Sequence, residues 1–258
     1  MNRRCLGLAR LLLFNGTMLD TQRTVADLVL DHPECANVLH RHRIDYCCRG
    51  DMSIAAASQK AGVEMPALLA ELERTIADRT AVDVEDARAL PTDGLIAHIV
   101  SRHHTYLRKA LPFLQALAGK VSRVHGNHEP RLREIDLLVN ELADTLIPHL
   151  DAEEQTLFPS LVAGDVDRDL VAGELTAMQA EHLAVADLLD RIRARTESIG
   201  VPSWACNSYR TLFSELAQLE SDIHRHVHLE NHVLLPRFIR PPEPERKNGG
   251  SKSKRGDQ

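Results

Sequence analysis

One eleven-residue pattern occurs twice in the chain and limits what the chain can fold into. It reads His-x-x-x-Glu-x-x-x-Leu-x-Pro, and its two copies span His149–Pro159 and His226–Pro236, 77 residues apart. On an α-helix, residues i and i+4 lie on one face with their Cβ atoms about 6 Å apart. Each copy can therefore direct an imidazole and a carboxylate at the same point.

Two further histidines repeat with nearly the same offset. His104 and His182 are 78 residues apart, and each precedes one copy of the pattern. The first and third helices would then each carry one histidine, and the second and fourth helices would each carry a histidine and a glutamate. Four histidines and two glutamates distributed over four helices are typical of a dinuclear metal site inside a four-helix bundle.

These six residues also fall on the apolar faces of their helices. At about 100° per residue, Leu219 and Val233 lie within roughly 20° of His226, and Leu142 lies equally close to His149. A lone histidine on a core face is usually structural, but an ionised glutamate there is costly without a partner. We therefore predict that the metal ligands are His104, His149, Glu153, His182, His226 and Glu230.

The remaining histidines of the fourth helix form a separate row. His224, His228 and His232 recur every four residues and point away from the apolar stripe. His103 likewise points about 100° away from His104. We expect all four side chains to lie on solvated polar faces.

The composition is that of a globular protein and excludes several functional classes. Of the 258 residues, 43% are hydrophobic and 26% are charged, which is ordinary for a globular domain. A net charge of −6 and an aromatic content of 3% disfavour a nucleic-acid surface. No apolar run approaches the roughly 20 residues that span a membrane. Five cysteines in a chain of this length do not suggest a disulfide framework, so we expect a cytoplasmic protein.

Breaks in the sequence pattern divide the chain into five parts. Residues 1–17 carry arginines and a short apolar run interrupted by Arg10, and we interpret them as a disordered leader or a misplaced start. Residues 18–80 predict a small helical domain in which Thr24 and Ser53 cap helices. The other parts are a linker (81–92), a four-helix bundle (93–238) and a disordered tail rich in Pro, Lys, Gly and Ser (239–258).

The predicted fold class is all-α, because helical periodicity dominates and strand signals are nearly absent. Gly119 should end the first bundle helix. The four bundle helices are expected at about Asp93–Leu117, Arg131–Val162, Arg168–Ser198 and Ser203–Phe238.

The predicted ligands restrict the choice of metal. Imidazole and carboxylate ligands without a thiolate suit iron, manganese or zinc. If both glutamates bridge two metal ions, each ion has two histidine nitrogens, two carboxylate oxygens and any bridging oxide, which leaves about one open position for a small molecule. A buried and symmetric set of this kind favours a non-haem centre of two iron ions with oxo and carboxylate bridges.

A second motif, Asp45-Tyr46-Cys47-Cys48-Arg49-Gly50, lies in the N-terminal domain. Adjacent cysteines are poorly placed for a structural disulfide, because the eight-membered ring strains the intervening peptide. One interpretation is a pair of ordinary buried thiols. The other, which we favour, is that Cys47 and Cys48 are accessible redox or transfer thiols whose pKa the neighbouring Arg49 lowers.

With these motifs, the chain resembles the iron–sulfur cluster repair di-iron proteins, the family for repair of iron centres, over about residues 20–238. The resemblance rests on the D-Y-C-C signature and on the paired His-x-x-x-Glu motifs. It implies an N-terminal D-Y-C-C domain followed by a hemerythrin-like bundle, with iron bound at the six predicted ligands. It also implies repair of iron–sulfur clusters damaged by oxidative and nitrosative stress, by iron donation or by removal of nitric oxide.

The same resemblance implies the partners. These are damaged iron–sulfur proteins, nitric oxide, oxygen and an unidentified electron donor, in a bacterial cytoplasm. We expect no nucleic acid, no membrane, and a monomer or homodimer.

Two other functional classes stay open at this stage. An oxygen-binding hemerythrin would carry a second histidine one turn after the third-helix ligand, where this chain has Ala186. A nitric oxide reductase would need an external electron donor, since no flavin or nicotinamide motif is visible. Family members can carry an acidic residue where this chain has Thr145, and Asp144 or Glu181 could substitute for it near the site.

Overall fold

The computed structural model describes residues 19–78, 86–163 and 168–238, without the side chains of residues 168–172. The predicted leader (1–17), the predicted tail (239–258) and the first five residues of the predicted linker (81–85) therefore lie outside the described residues. The described chain is all-α, as predicted, and its only β-type pairing is an isolated bridge between Thr24 and Ser53.

Short helices form the N-terminal unit, which we define as residues 19–78. They are α1 (Val25–Asp31), a 3-10 turn (Pro33–Cys35), α2 (Ala36–Arg41), α3 (Ile54–Ala61) and α4 (Met65–Ala77). The predicted caps are confirmed, because Thr24 accepts a hydrogen bond from the Asp27 amide and Ser53 accepts one from the Ala56 amide. Side-chain acceptors at these positions satisfy amides that the first helical turn leaves unpaired.

Four long helical segments form the bundle. In chain order they are α5 (Thr92–Ile99) with α6 (Thr105–His125), α7 (Arg131–Ala152) with α8 (Phe158–Val162), α9 (Arg168–Ile199), and α10 (Asn207–Leu229) followed by a 3-10 turn (Leu235–Arg237). Helix α6 packs on α7 and α10, and α9 packs on α7 and α10, which closes the bundle. In the described part of the chain, no helix is both long enough and apolar enough to cross a membrane.

Gly119 does not end the first bundle helix, contrary to our prediction. Helix α6 continues through it to His125. A glycine inside a helix costs about 1 kcal/mol relative to alanine, but burial of Ala118 and Val121 on either side of it outweighs that cost. Each such buried aliphatic side chain contributes roughly 1–3 kcal/mol.

Two apolar clusters pack the molecule and meet at the predicted ligands. The larger cluster joins the N-terminal unit to the bundle and includes Leu107 and Leu146, which lie three residues from His104 and His149 respectively. The smaller cluster includes Ile99 and Phe158, and the Phe158 ring stacks on His104 with ring centroids 5.6 Å apart. The predicted ligands thus lie between two tightly packed regions that fix their helices.

The histidine row of the fourth helix is not solvated, so that prediction was wrong. His228 is 4% exposed and its Nδ1 donates to the Tyr46 carbonyl at 3.1 Å, while His232 Nε2 donates to the Cys47 carbonyl at 2.7 Å. His224 Nδ1 lies 3.3 Å from His40 Nδ1. This face of α10 is covered by the N-terminal unit, which the helix's own periodicity cannot reveal.

His103 is also buried rather than solvated. It is 4% exposed, and its Nδ1 lies 3.1 Å from Asp222 Oδ1 of the fourth bundle helix. The adjacent helix therefore supplies a polar partner for a side chain that points away from the bundle core.

Candidate metal centre

The six predicted ligands come together as two sets of four. One set contains His104 and His226, the other contains His149 and His182, and both contain the same two glutamates. Within each set, one nitrogen or oxygen from every residue lies within 4.8 Å of those from the others. The arrangement is the one expected of two metal positions that share two carboxylates.

Distances within the first set join residues from three bundle helices. His226 Nε2 lies 2.8 Å from Glu230 Oε1 and 3.0 Å from His104 Nε2. His104 Nε2 lies 3.5 Å from Glu153 Oε2. The two Nε2 atoms face each other, so a metal ion can take the lone pairs of both.

The second set uses the other oxygen of each glutamate. Glu153 Oε1 lies 3.2 Å from His149 Nε2, and Glu230 Oε2 lies 3.2 Å from His182 Nε2. Each carboxylate therefore presents one oxygen to each set. This division of oxygens is what a bridging carboxylate between two metal ions requires.

Buried polar atoms without hydrogen-bond partners test whether a metal fits. All six side chains are at most 6% exposed. Five of their converging atoms have no hydrogen-bond partner within the described ranges: His149 Nε2, His182 Nε2, Glu230 Oε2 and both carboxylate oxygens of Glu153. Buried polar groups are rarely left unpaired, and these are nitrogen and oxygen donors that bind first-row transition metals. The residues present thus fit a metal centre.

Hydrogen bonds on the far side of three histidines orient their rings. His104 Nδ1 lies 2.9 Å from Glu154 Oε1, His149 Nδ1 lies 2.6 Å from Glu181 Oε2, and His182 Nδ1 lies 3.1 Å from Asn231 Oδ1. Oxygen acceptors at Nδ1 keep the proton there and leave the Nε2 lone pair free for a metal. These acceptors are Glu154, Glu181 and Asn231, none of which was predicted as a ligand.

Glu181, which the sequence suggested as an acidic neighbour of the site, does contact a predicted ligand. Asp144, the other suggested neighbour, is exposed and has no contact with the centre among the described residues. Glu154 and Asn231 each directly follow a predicted ligand glutamate, and that position alone did not identify them.

Electrostatics around the two carboxylates favours a cation. Burial and the neighbouring Glu230 carboxylate raise the pKa of Glu153. Burial acts to lower the pKa of His149, but the hydrogen bond and charge of Glu153 outweigh it and raise the pKa to about 9. Without metal, the like charges of the two glutamates must be offset by imidazolium or protons, and metal ions would replace these.

Widened helical turns present three of the ligands. Five-residue π-helical turns occur at Val100–His104, Glu153–Leu157 and Glu230–Leu234. In the second turn, for example, the Phe158 amide donates to the Glu153 carbonyl, five residues back. Such turns are rare and frequently occur at functional sites.

The proline of the repeated motif explains two of these turns. Pro159 and Pro236 have no amide hydrogen, so the α-helical ladder already lacks a bond where they occur. A switch to i→i−5 bonds just before them therefore costs less than elsewhere in a helix. The first turn, at His104, has no such proline.

The segment Asp45–Gly50, which we call the cysteine loop, lies against the candidate metal centre. Cys48 is partly buried, and its Sγ donates to the His182 carbonyl at 3.6 Å. Asn231 Nδ2 donates to the Cys47 carbonyl at 3.1 Å. The N-terminal unit thus contacts both a predicted ligand and the acceptor that orients it.

Cys47 is not the accessible, acidified thiol that we expected. It is 1% exposed, and its Sγ lies 3.2 Å from Asp45 Oδ1. The hydrogen bond with Cys48, burial and the Asp45 carboxylate raise the pKa of Cys47 well above its ordinary value. Arg49 does not reverse this, because its guanidinium pairs with Asp45 at 3.5 Å and with Asp187 at 3.8 Å.

A small groove leads from the surface to the second ligand set. It has a volume of about 230 Å³ and runs between α7 and α9, where His149, Glu153 and Glu181 line it together with Met178. A diatomic molecule or a hydrated ion fits a space of this size. The groove is the side from which a small ligand can reach the centre.

Comparisons with known proteins agree with this architecture. The hemerythrin HHE cation binding domain matches residues 95–238, and a domain of unknown function (DUF542, ScdA_N) matches residues 21–76. The iron-sulfur cluster repair protein YtfE of Yersinia pseudotuberculosis serotype O:1b (strain IP 31758) is 32% identical over 218 residues, which cover 84% of this chain and 97% of the relative. The protein of the same name from Yersinia pestis (strain Pestoides F) matches with the same identity and coverage. The chain, in which a DUF542 domain precedes a hemerythrin HHE cation binding domain, therefore belongs to the same family as these proteins.

Proposed function

We propose that this protein holds two iron ions in its bundle and repairs iron–sulfur clusters damaged by oxidative and nitrosative stress in the cytoplasm. The observation that carries the proposal is the division of each glutamate between the two ligand sets, with one oxygen 3.2 Å from a histidine of the second set and the other facing the first. The printed name of the relatives, which are iron–sulfur cluster repair proteins, supports the biological role.

Iron is the metal that we propose for this donor set. Four imidazoles and two carboxylates without a thiolate suit iron, manganese or zinc, but a structural zinc site is closed and usually four-coordinate. Sharing both carboxylates between two ions leaves an open position on each. Two bound iron ions would supply redox chemistry and a binding position for nitric oxide or oxygen.

The chain's own residues hold the centre and control access to it. Glu154, Glu181 and Asn231 orient three of the imidazoles, and the two apolar clusters exclude bulk water. The groove at His149 and Glu153 admits only small molecules or ions. This access supports either removal of nitric oxide or release of iron to a damaged cluster.

Nitric oxide reduction is a second candidate activity, and the same groove favours it. It would require an electron donor from another protein. The described chain is less suited to carrying oxygen in the manner of a hemerythrin, because a buried alanine, Ala186, occupies the position one turn after His182 where such carriers place another histidine.

Cys48, rather than Cys47, is our proposed transfer thiol. It is partly exposed and contacts the carbonyl of His182, whereas Cys47 is buried and holds the loop together. Damaged iron–sulfur proteins and an electron donor remain the proposed partners, and a monomer or homodimer the proposed assembly.

Iron analysis of the recombinant full-length protein tests the metal part of the proposal. We expect about two iron atoms per chain after expression in iron-rich medium. One metal per chain, or zinc alone, would overturn the di-iron assignment.

Repair in cells tests the biological part separately. A strain that lacks the protein should recover aconitase-type activity more slowly than its parent after brief exposure to nitric oxide or peroxide. Equal recovery in the absence of a second homologue would contradict the repair role and leave the iron assignment intact. Nitrous oxide formed from nitric oxide by the anaerobic, reduced protein would identify the reductase activity.

A further inference from the structure

A second cavity lies away from the metal groove, where three parts of the chain meet. It has a volume of about 350 Å³, is open to solvent on one side, and is bordered by the end of α1, the 3-10 turn at Ala87–Ala89, and the first and fourth bundle helices. Leu30, Pro33 and Leu229 give it an apolar wall. A space of this volume accommodates a small organic molecule.

Two arginines at this cavity have no carboxylate partner in the described part of the chain. The Arg102 guanidinium forms no hydrogen bond or ion pair with any other described side chain, and the one hydrogen bond of the Arg225 guanidinium goes to Asn37 Oδ1 at 3.2 Å. The third arginine, Arg88, is by contrast held by Asp31 at 2.7 Å and by Asp86 at 2.8 Å. Two guanidinium groups without an ion pair to a described residue, beside an apolar wall, are suited to an organic anion.

Two buried acceptors at the same cavity also lack hydrogen-bond partners among the residues that the structure describes. The His228 Nδ1 hydrogen is donated to the Tyr46 carbonyl, so Nε2 carries a free lone pair, and that atom is buried without a hydrogen-bond partner. Asp222 Oδ2 is likewise buried without a partner, while its other oxygen contacts His103. Both side chains line the cavity. Unpaired buried acceptors are costly, and a ligand with an N–H or O–H group would satisfy one of them.

We propose that this cavity binds a small organic anion that has a flat apolar body and an N–H or O–H donor. The anionic group lies between Arg102 and Arg225, and the donor faces His228 or Asp222. The proposal does not depend on the proposed function, because none of these residues is a predicted metal ligand. The cavity nevertheless adjoins the centre, since its wall residue His103 stacks on His226 with ring centroids 5.8 Å apart.

Fluorescence titration with 8-anilino-1-naphthalenesulfonate tests the proposal, because this probe combines a sulfonate, two apolar ring systems and an N–H group. We expect the full chain to bind one probe molecule at this cavity. The double variant Arg102→Ala/Arg225→Ala should bind about tenfold more weakly, which corresponds to a net loss of about one charge-assisted hydrogen bond. The uncharged analogue N-phenyl-1-naphthylamine should bind the parent and this variant equally.

A matched control and a filled cavity complete the test. Lys120→Ala/Arg123→Ala removes two exposed cations from α6 outside the cavity and should leave binding unchanged. Ala87→Phe should fill the space and abolish binding of both probes, with an unchanged helical circular dichroism spectrum. Equal affinity of the sulfonate probe for the parent and for the Arg102/Arg225 variant would overturn the proposal, as would undiminished binding to Ala87→Phe.

Discussion

Asn231 accepts a hydrogen bond from His182 at 3.1 Å and so fixes the tautomer of a predicted metal ligand. The same side chain donates to the Cys47 carbonyl at 3.1 Å. One buried amide thus orients an imidazole of the bundle and anchors the cysteine loop of the N-terminal unit. Through this residue, the position of the loop is coupled to the orientation of the His182 imidazole.

Replacing Asn231 with leucine should therefore weaken metal binding without removing a ligand. The loss of a partner at the far nitrogen of a ligating histidine typically costs 10- to 100-fold in metal affinity, and we expect about that loss for iron. Competition with a calibrated chelator measures it. Asn140→Leu is the control, because Asn140 forms a comparable side-chain bond with Gln115 on the outside of α6 and α7 and should leave iron affinity unchanged.

Replacing a shared glutamate should have opposite effects on the thermal stability of the metal-free protein and of the protein with iron added. In Glu153→Gln, one of two buried like charges is removed. The metal-free protein should then melt at the same or a higher temperature, because burial and Glu230 both disfavour the ionised form of Glu153. Iron content should fall well below two atoms per chain, and stabilisation by added iron should vanish, because ligand binding stabilises only a fold that binds it.

Melting temperatures measured by calorimetry with and without iron distinguish a metal-bridging role of Glu153 from a role in core packing. The exposed Glu141→Gln variant should retain both the iron content and the stabilisation by iron. If Glu153→Gln kept the parent's full iron content, Glu153 would be a core residue rather than a bridge.

Gly50 should resist substitution, although its backbone is not in the left-handed region. A Cβ atom at this position would collide with the Tyr46 carbonyl oxygen and would lie 2.7 Å from His232 Nε2. The first contact is with backbone and cannot be relieved by a rotamer change. Gly50→Ala should therefore lower the free energy of unfolding by about 1–3 kcal/mol, measured by urea denaturation.

The helical Gly173 provides the comparison. A Cβ added there meets nothing within 4 Å, so Gly173→Ala should raise the stability by up to about 1 kcal/mol through helix propensity. Equal effects of the two substitutions would mean that the cysteine loop is not packed as described.

The sequence was sufficient to bring the six predicted ligands together, because their positions follow from helical periodicity and from a repeat of 77 or 78 residues. Glu153 and Glu230 were recognisable because an ionised side chain on an apolar stripe requires a partner. The fold class followed from the same periodicity. These are local properties of each helix, and local properties can be derived from sequence.

What the sequence did not reveal depends on contacts between distant segments. His228 and His232 lie on the polar side of α10 when that helix is considered alone, and only the N-terminal unit buries them. The same docking brings Asn231 and His232 against Cys47 and keeps it from solvent, against the expectation of an accessible thiol. The π-helical turns were also missed, because a five-residue turn shifts hydrogen bonds without changing which residues are apolar.

The last prediction separates the two adjacent cysteines. Cys48 is partly exposed and contacts the His182 carbonyl, whereas Cys47 is buried with a raised pKa. Since the thiolate is the reactive form, brief alkylation of the native protein with iodoacetamide should modify Cys48 and the exposed Cys206 before Cys47. Mass spectrometry of peptides reports the order, and equal labelling of Cys47 would contradict the packing of the loop. Cys48→Ser should leave the fold and the iron content intact but slow the recovery of iron–sulfur enzymes in cells. Cys206→Ser, at the far end of α10, is the matched control and should leave recovery unchanged. Loss of iron in Cys48→Ser would instead assign this thiol to the metal site, and full repair activity would remove it from the function.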